Sequence, residues 1–378
     1  MRPPKRSHES RSEAESQLKQ GSAIDKGWSS MSRQVQREKG PVQVAEAGQD
    51  DQGTPPARSQ HLIPSLHLEA AASPQVSTAN RTRREGTAMT VRIGLQLYSV
   101  RNALARDPWG TLARLAEAGF SHLEAANHHA RTDPGVGFGV AAPELRTRLV
   151  GLGLSIIGCH INPLDLAILP RALAYQAELG NTQFGCDIEF FPYGDRDYVL
   201  RRCETYNTVG ALAREHGLRF YYHNHFQEFQ RFGDDYVYDL ILDNTDPDLV
   251  KLEMDTYWMY RGGQDPLAWM KKCAGRVILV HQKDFPADAP QPLNLFDGVV
   301  SPSEDIDMAV FEKHMNERCF TEIGTGILPI QSIIDTVGEL PNVEYLILEQ
   351  DYTALDEIES VRTSRQAFAS NFTGVSWS

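Results

Sequence analysis

The chain has 378 residues, of which 41% are hydrophobic, and its formal net charge is −13. Because a protein that grips nucleic-acid phosphates needs a basic face, this acidic balance predicts that the chain binds no nucleic acid. No apolar stretch approaches the roughly 20 residues of a membrane span, so no membrane partner is predicted either.

Residues 1–88 differ in composition from the rest of the chain. They are rich in Ser, Gln, Arg, Glu and Ala, and they hold 13 of the 37 basic and 10 of the 50 acidic residues, which leaves a net charge of −16 for the remainder. Low hydrophobicity with scattered charge predicts a disordered extension. Met89 directly precedes the first apolar run, so a misassigned start is the alternative. We therefore place the folded domain at residues 89–378.

From residue 92 onward, apolar runs typical of buried strands alternate with amphipathic stretches typical of helices. Eight strands are predicted, at 92–97, 122–126, 155–161, 182–188, 218–225, 250–255, 276–284 and 345–351. Helices are predicted between them, at 112–119, 144–153, 172–180, 198–217, 236–243, 265–274, 328–340 and 354–370. Eight such units predict an α/β fold of the (β/α)8 TIM barrel type. A doubly wound open sheet is the alternative, but no GxGxxG motif follows the first strand.

Polar residues close four of the predicted strands. A buried histidine or carboxylate is costly unless it has a partner, and the active sites of (β/α)8 barrels lie where the strands end. Two imidazoles and two carboxylates suit a divalent cation, of which Mn²⁺ or Co²⁺ is predicted and Zn²⁺, Mg²⁺ and Fe²⁺ are alternatives. Glu189 is an alternative to His223 as the fourth ligand. The predicted ligands are His223, Asp255, His281 and Glu349.

Six ordered segments resemble the xylose isomerase-like barrels, a superfamily of sugar phosphate isomerases and epimerases, inosose dehydratases and endonuclease IV. The resemblance covers about residues 92–370 and implies that metal ligands end strands five to eight, at the same four positions. The segments are GLQLYSVR (94–101), HNHFQEF (223–229), DTYW followed by GG (255–263), HQKDF (281–285), GTGIL (324–328) and EQD (349–351).

Further residues near the strand ends receive predicted roles. Lys283 has the same strand parity as His281, which suits it to steady an enolate, and His225 has the parity of His223, which suits it to act as an acid or base. The predicted catalytic residues are thus Lys283, His225 and Glu349. The predicted substrate-binding residues are Glu124, His160, Glu228 and Trp258.

The resemblance implies a metal-dependent enzyme that acts next to a carbonyl on a sugar, keto-sugar or cyclitol, through an enediolate. Isomerisation or epimerisation is one outcome, and dehydration or another carbon–oxygen elimination is the alternative. His223 stands where the related epimerases carry a glutamate, which favours elimination because a base on one face of the substrate is lost. A barrel that binds sugars without catalysis is the third reading. The acidic charge argues against an endonuclease.

Two further features complete the predictions from the sequence. Residues 286–320 form a long strand-to-helix connection with four prolines, which we interpret as a lid or as a contact within a homo-oligomer. The five cysteines are odd in number and lack CxxC spacing, so we expect reduced thiols and a cytoplasmic location.

Overall fold

Residues 90–377 are described by the structure, which is a computed structural model. The predicted extension at 1–88, with Met89 as the alternative start, lies outside the described residues. Each strand of the barrel pairs in parallel with the next along the chain, and β8 pairs with β1 to close the cylinder. The predicted (β/α)8 fold is confirmed, and the open-sheet alternative is wrong. The strands are β1 (Val91–Gln96), β2 (His122–Asn127), β3 (Ser155–Ile161), β4 (Gln183–Gly185), β5 (Arg219–His223), β6 (Val250–Asp255), β7 (Val277–Gln282) and β8 (Tyr345–Leu348).

Helices of the described residues surround the barrel. They are α1 (Arg101–Arg106), α2 (Pro108–Glu117), α3 (Ala142–Gly151), α4 (Leu169–Leu179), α5 (Arg196–Glu215), α6 (Val237–Asp243), α7 (Thr256–Arg261), α8 (Pro266–Lys272), α9 (Met308–His314), α10 (Ile330–Glu339) and α11 (Glu357–Asn371). Shorter elements are 3-10 turns at Leu97–Val100, Gln227–Phe229 and Glu317–Cys319, a hairpin of Arg231–Phe232 with Asp235–Tyr236, and β9 (Val375–Ser376) beside β1. None of these helices is long and apolar enough to cross a membrane.

Local sequence explains where the helices begin and end. Aspartates precede several of them and accept a backbone N–H of the first turn, as Asp195 does from Tyr198 at 2.8 Å and Asp307 from Val310 at 3.0 Å. Helix α4 ends at Gly180, whose φ of 92° lies in the left-handed region that glycine adopts without a steric cost. These signals account for the agreement between most predicted and observed helices.

Some predicted boundaries are wrong at the carboxyl ends of the strands. The fourth strand was predicted over 182–188 but ends at Gly185, and the last two strands end at Gln282 and Leu348. Lys283 and Glu349 therefore follow their strands directly. Helices α1, α7 and α9, each of six or seven residues, were not predicted.

The barrel interior changes from apolar to polar toward the carboxyl ends of the strands. Leu279 and Ile347 belong to a small separate apolar cluster, and each lies two residues before a polar residue of the site, on the same strand face. Tyr221 crosses the interior next to Gly185, where any Cβ would overlap its ring, and its hydroxyl donates to Glu124. The buried polar groups are thus collected at one end of the barrel.

Asp284 closes the long connection that follows β7. Its backbone carbonyl accepts the Thr321 N–H at 3.2 Å, and its carboxylate accepts the N–H groups of Gly324 at 2.9 Å, Gly326 at 3.0 Å and Leu328 at 3.2 Å. A Cβ on residue 326 would overlap the Asp284 carboxylate, which explains the glycine there. Residues 285–320 therefore leave the barrel and return to it at a single point.

Candidate active site

A cavity of about 330 Å³ opens at the carboxyl ends of the strands. This is the end at which (β/α)8 enzymes place their active sites, and the volume lies within the usual range for small-molecule pockets. Six residues predicted from the sequence line it: His160, His223, His225, Trp258, Lys283 and Glu349. The other predicted site residues, Glu124, Glu228, Asp255 and His281, are buried among the described residues and do not line the cavity.

The four predicted metal ligands come together at the inner end of the cavity. Each offers one ligand atom, and these atoms all lie within 4.8 Å of one another. His281 Nδ1 lies 2.8 Å from Glu349 Oε2, and Asp255 is paired with His281 across β6 and β7. Glu189 lies elsewhere, with its carboxylate 2.6 Å from Arg202 Nη2, so the geometry favours His223 over Glu189 as the fourth ligand.

The surroundings of the Lys283 ammonium show that this group of residues suits a cation. Its ammonium donates to Asp255 and to Glu349, the latter at 2.6 Å, and lies 3.8 Å from Asp351. Burial would lower the pKa of Lys283, but the three carboxylates outweigh it and hold that pKa well above its usual value. The carboxylates thus already converge on one positive charge. Two carboxylate oxygens and two imidazoles around a cationic position fit a divalent metal.

Glu253 is a member of the site that the sequence analysis missed. Its oxygens lie 2.6 Å from His160 Nε2, 3.0 Å from His223 Nδ1 and 3.1 Å from His281 Nε2. Burial would raise the pKa of Glu253, but the charges of His281 and His160 hold it well below its usual range. Its position two residues before Asp255, on the same strand face, is a signal that could have found it.

Glu124 is buried on the Nε2 side of the His281 ring, whereas Glu349 is on the Nδ1 side. It accepts from Gln96 Nε2 at 3.0 Å and lies 2.6 Å from His281 Nε2. Strand register shifts at both Glu124 and Glu253, as occurs where a bulge redirects a side chain near an active site. The two glutamates thus face the same ring nitrogen of His281, and the substrate contact of Glu124 stays a prediction.

His225 stands at the side of the cavity between aromatic rings. Its ring centre lies 5.2 Å from that of Trp258 and 5.6 Å from that of Phe311. Burial, with the neighbouring His223 and Lys283, holds the pKa of His225 well below its usual value, so the ring is neutral at pH 7. A neutral imidazole can accept a proton, which favours a base over an acid for this residue.

Glu228 supports the loop that carries His225. It accepts the Tyr222 hydroxyl at 2.8 Å and the His225 backbone N–H at 2.9 Å. Burial raises the pKa of Glu228 to about 7. Since both contacts are internal, the predicted bond from Glu228 to a substrate hydroxyl has no support in this geometry.

Two further carboxylates reach the cavity wall. Asp187 lies 2.9 Å from His128 Nδ1 and accepts from Asn162 Nδ2 at 2.8 Å. Burial would raise the pKa of Asp187, but these hydrogen bonds lower it to about 2. Asp351 follows Glu349, and burial together with the neighbouring carboxylates raises its pKa to about 7. The wall therefore carries one firmly ionised acid and one acid that exchanges protons near neutral pH.

The cavity is covered on one side by α9 of the long connection. It is lined from this direction by Met308, Phe311, Glu312 and Met315, none of which was predicted as a site residue from the sequence. The connection thus occupies the position of a lid over the cavity, which is one of the two roles predicted for it.

Several solved structures have a similar fold. A sugar phosphate isomerase/epimerase from Parabacteroides distasonis is 23% identical, with a TM-score of 0.56, over 80% of this chain and all of that one. A probable 3-DHS dehydratase from Bacillus anthracis is 14% identical, with a TM-score of 0.53, over 74% of this chain and 99% of that one. A D-allulose 3-epimerase from Methylomonas is 12% identical, with a TM-score of 0.52, over 74% of this chain and 98% of that one. These likenesses support the (β/α)8 barrel fold.

Curated relatives of this chain include inosose dehydratases. One from Clostridium perfringens is 27% identical over 166 residues, which are 42% of this chain and 52% of the relative. One from Bacillus cereus is 37% identical over 143 residues, which are 38% of this chain and 44% of the relative. The chain spans about half the length of the curated relatives it matches. No protein-family model matches it.

Proposed function

We propose that the protein is a divalent-metal-dependent carbon–oxygen lyase that removes a group β to a carbonyl on a sugar, keto-sugar or cyclitol. The observation that carries the proposal is His223 at the end of β5, grouped with Asp255, His281 and Glu349. The same group carries two carboxylates and two imidazoles, which supports Mn²⁺ or Co²⁺ as the ion. The inosose dehydratases among the relatives support the lyase reaction. Five buried, unpaired cysteines support a cytoplasmic location.

The bound ion would polarise the substrate carbonyl and so acidify the neighbouring C–H bond. The remaining chemistry falls to side chains of this chain. Neutral His225 takes the α-proton, and the electron pair of the broken C–H bond forms the new C=C bond. The C–O bond at the β-carbon breaks, and its electron pair leaves with the oxygen. This oxygen takes a proton from an acid on the cavity wall and departs as water. Lys283 stabilises negative charge on the carbonyl oxygen.

Isomerisation or epimerisation is the second candidate, supported by the names of the similar structures. Both reactions need a proton to be removed from the substrate and then returned to it. In epimerisation, the removal and the return take place on opposite faces of one carbon. Glu349 supplies a carboxylate on one side, but the β5 position opposite carries an imidazole. This asymmetry is why elimination is preferred here.

The deciding experiment follows an inosose and a panel of keto-sugars with the full chain and Mn²⁺ or Co²⁺ in D₂O by NMR. Loss of water with a new olefinic or enone signal is expected. Clean epimer or aldose–ketose interconversion with deuterium at one carbon would replace the lyase by an isomerase. Substrate binding without either product would favour a sugar-binding barrel.

Glu253 provides a test of the metal site that depends on a residue outside the ligand group. Glu253→Gln is expected to weaken Mn²⁺ binding by about 10–100-fold, because the carboxylate orients the His223 and His281 rings from behind. Calorimetric titration measures the affinity. Exposed Glu344, which pairs with Arg92 at 3.1 Å, provides the control Glu344→Gln. Unchanged Mn²⁺ affinity with a lower melting temperature would reduce Glu253 to a purely structural role.

A further inference from the structure

The cavity has two chemically different ends. At the inner end, Lys283, Glu349, Asp351 and the histidines of the site present charge and hydrogen-bonding groups. At the outer end the wall is Trp258 on the barrel side, with its ring centre 5.7 Å from Lys283 Nζ, and on the lid side the apolar Met308, Phe311 and Met315 together with the carboxylate of Glu312. Met308 and Phe311 are three positions apart and share one face of α9, and Met315 follows the helix directly. The cavity therefore suits an amphipathic ligand.

The apolar end is built on contacts that hold the aromatic rings in place. Phe311 stacks on Phe226, with ring centres 5.6 Å apart and planes 19° apart, and its ring centre lies 5.5 Å from that of Trp258. Met308, Phe311 and Met315 each remain partly exposed, and α9 buries no residue completely. The apolar face of the lid thus remains accessible from the cavity.

A sugar or cyclitol without a substituent does not use this outer end well. Its hydroxyl groups, placed against phenylalanine and methionine side chains, would lose water without gaining hydrogen-bond partners, which is unfavourable. One sugar face can stack on Trp258, but that leaves the lid face unused. Methionine side chains adapt their shape, so such a face can accept apolar groups of differing outline.

We propose, on the basis of the function proposed above, that the substrate is a sugar or cyclitol carrying an apolar, ring-sized substituent. The polar ring lies at the Lys283 and Glu349 end, and the substituent lies between Trp258 and the lid face of α9. Met308, Phe311 and Met315 are then specificity residues, which contact the substituent and take no part in the chemistry.

The test uses unreactive ligand pairs, so that binding is measured without turnover. Phenyl and methyl β-D-glucosides, galactosides and xylosides are titrated into the full chain with Mn²⁺, with calorimetry and tryptophan fluorescence as readouts. In at least one pair the phenyl glycoside is expected to bind at least about 30-fold more tightly, the factor expected from burying most of an aromatic ring. Equal affinities within every pair, or no detectable binding of any phenyl glycoside, would overturn the proposal.

Variants of the lid assign the effect to its residues. Phe311→Ala and, separately, Met308→Gln are expected to reduce the phenyl preference to about fivefold or less while the affinity for the methyl partner stays within about twofold. Lys313→Ala is the matched control, because Lys313 lies on the same helix with its side chain 67% exposed. A phenyl preference that survives both lid variants would place the substituent elsewhere and contradict the assignment.

The outcome is separable from that of the proposed function. Normal Mn²⁺ binding and elimination without a phenyl preference would reject the substituent alone. A phenyl preference in a protein that binds no metal would reject the proposed function and leave the apolar site standing.

Discussion

His281→Ala is expected to lower the bound Mn²⁺ from about one ion per chain to below roughly 0.1, and to lower turnover by at least about 100-fold. His281 contacts three carboxylates of the described structure: Nδ1 lies 2.8 Å from Glu349, and Nε2 lies 2.6 Å from Glu124 and 3.1 Å from Glu253. The substitution therefore deletes one ligand and removes the imidazole that contacts another ligand, Glu349. Elemental analysis after dialysis measures the metal, and circular dichroism checks the fold.

This variant removes one buried partner from each of three carboxylates, and breaking a buried ion pair can cost about 3–5 kcal/mol of stability. Asp255→Asn is therefore made in parallel, because it keeps the side-chain volume and removes only the charge. The matched control is His122→Ala, since His122 begins β2 at the opposite end of the barrel, with Nδ1 3.2 Å from the Ser155 hydroxyl. Full metal occupancy in both folded ligand variants would mean that the ion, if there is one, binds elsewhere.

Lys283→Met is expected to raise Mn²⁺ affinity about 10-fold or more and to lower turnover by at least about 100-fold. The ammonium donates to Asp255 and Glu349, so its charge competes with the ion for two of the four ligands. The same charge serves the substrate oxygen in the proposed reaction. The opposite signs of the two effects distinguish this residue from a ligand, whose loss lowers both.

Stability provides a second readout for Lys283. Without added metal, Lys283→Met leaves Asp255, Glu349 and Asp351 without their ammonium partner, so a lower melting temperature is expected, and Mn²⁺ should raise it by more than in the unaltered protein. Lys272→Met is the control, because Lys272 is a surface lysine 2.7 Å from Asp239. Retained turnover, or weaker Mn²⁺ binding, would remove Lys283 from the proposed mechanism.

The fold was predictable because the barrel strands can be recognised from their local sequence. Buried parallel strands read as apolar runs, and helix ends carry signals such as Asp195 and Gly180. Strand ends were harder. Lys283 and Glu349 continue an apolar run in sequence, yet the backbone leaves the sheet at Gln282 and Leu348. Hydrogen bonds between neighbouring strands decide that point, and these are not visible in one segment.

The grouping of the four candidate metal ligands was predictable for a related reason. Residues that end adjacent parallel strands meet at one edge, so His223, Asp255, His281 and Glu349 could be grouped from their positions alone. Glu253 shares the strand face of Asp255, but its exact placement depends on the register shift between Leu252 and Glu253, which arises from pairing with β7 and is not visible in the sequence. The lid face of α9 was missed because a short helix in a loop leaves little periodicity to detect.

The closure at Asp284 has a consequence for how this barrel can change. Because residues 285–320 depart from and return to one carboxylate, their replacement leaves the spacing between β7 and α10 intact. The entropic cost of closing this loop depends only weakly on its length, so loops of other lengths can take its place. Segments grafted between positions 286 and 320, with Asp284 and Gly326 retained and the core contacts of Leu295, Val300 and Ile306 replaced, should alter which molecules enter, so new substrate ranges are open to directed evolution at this one junction.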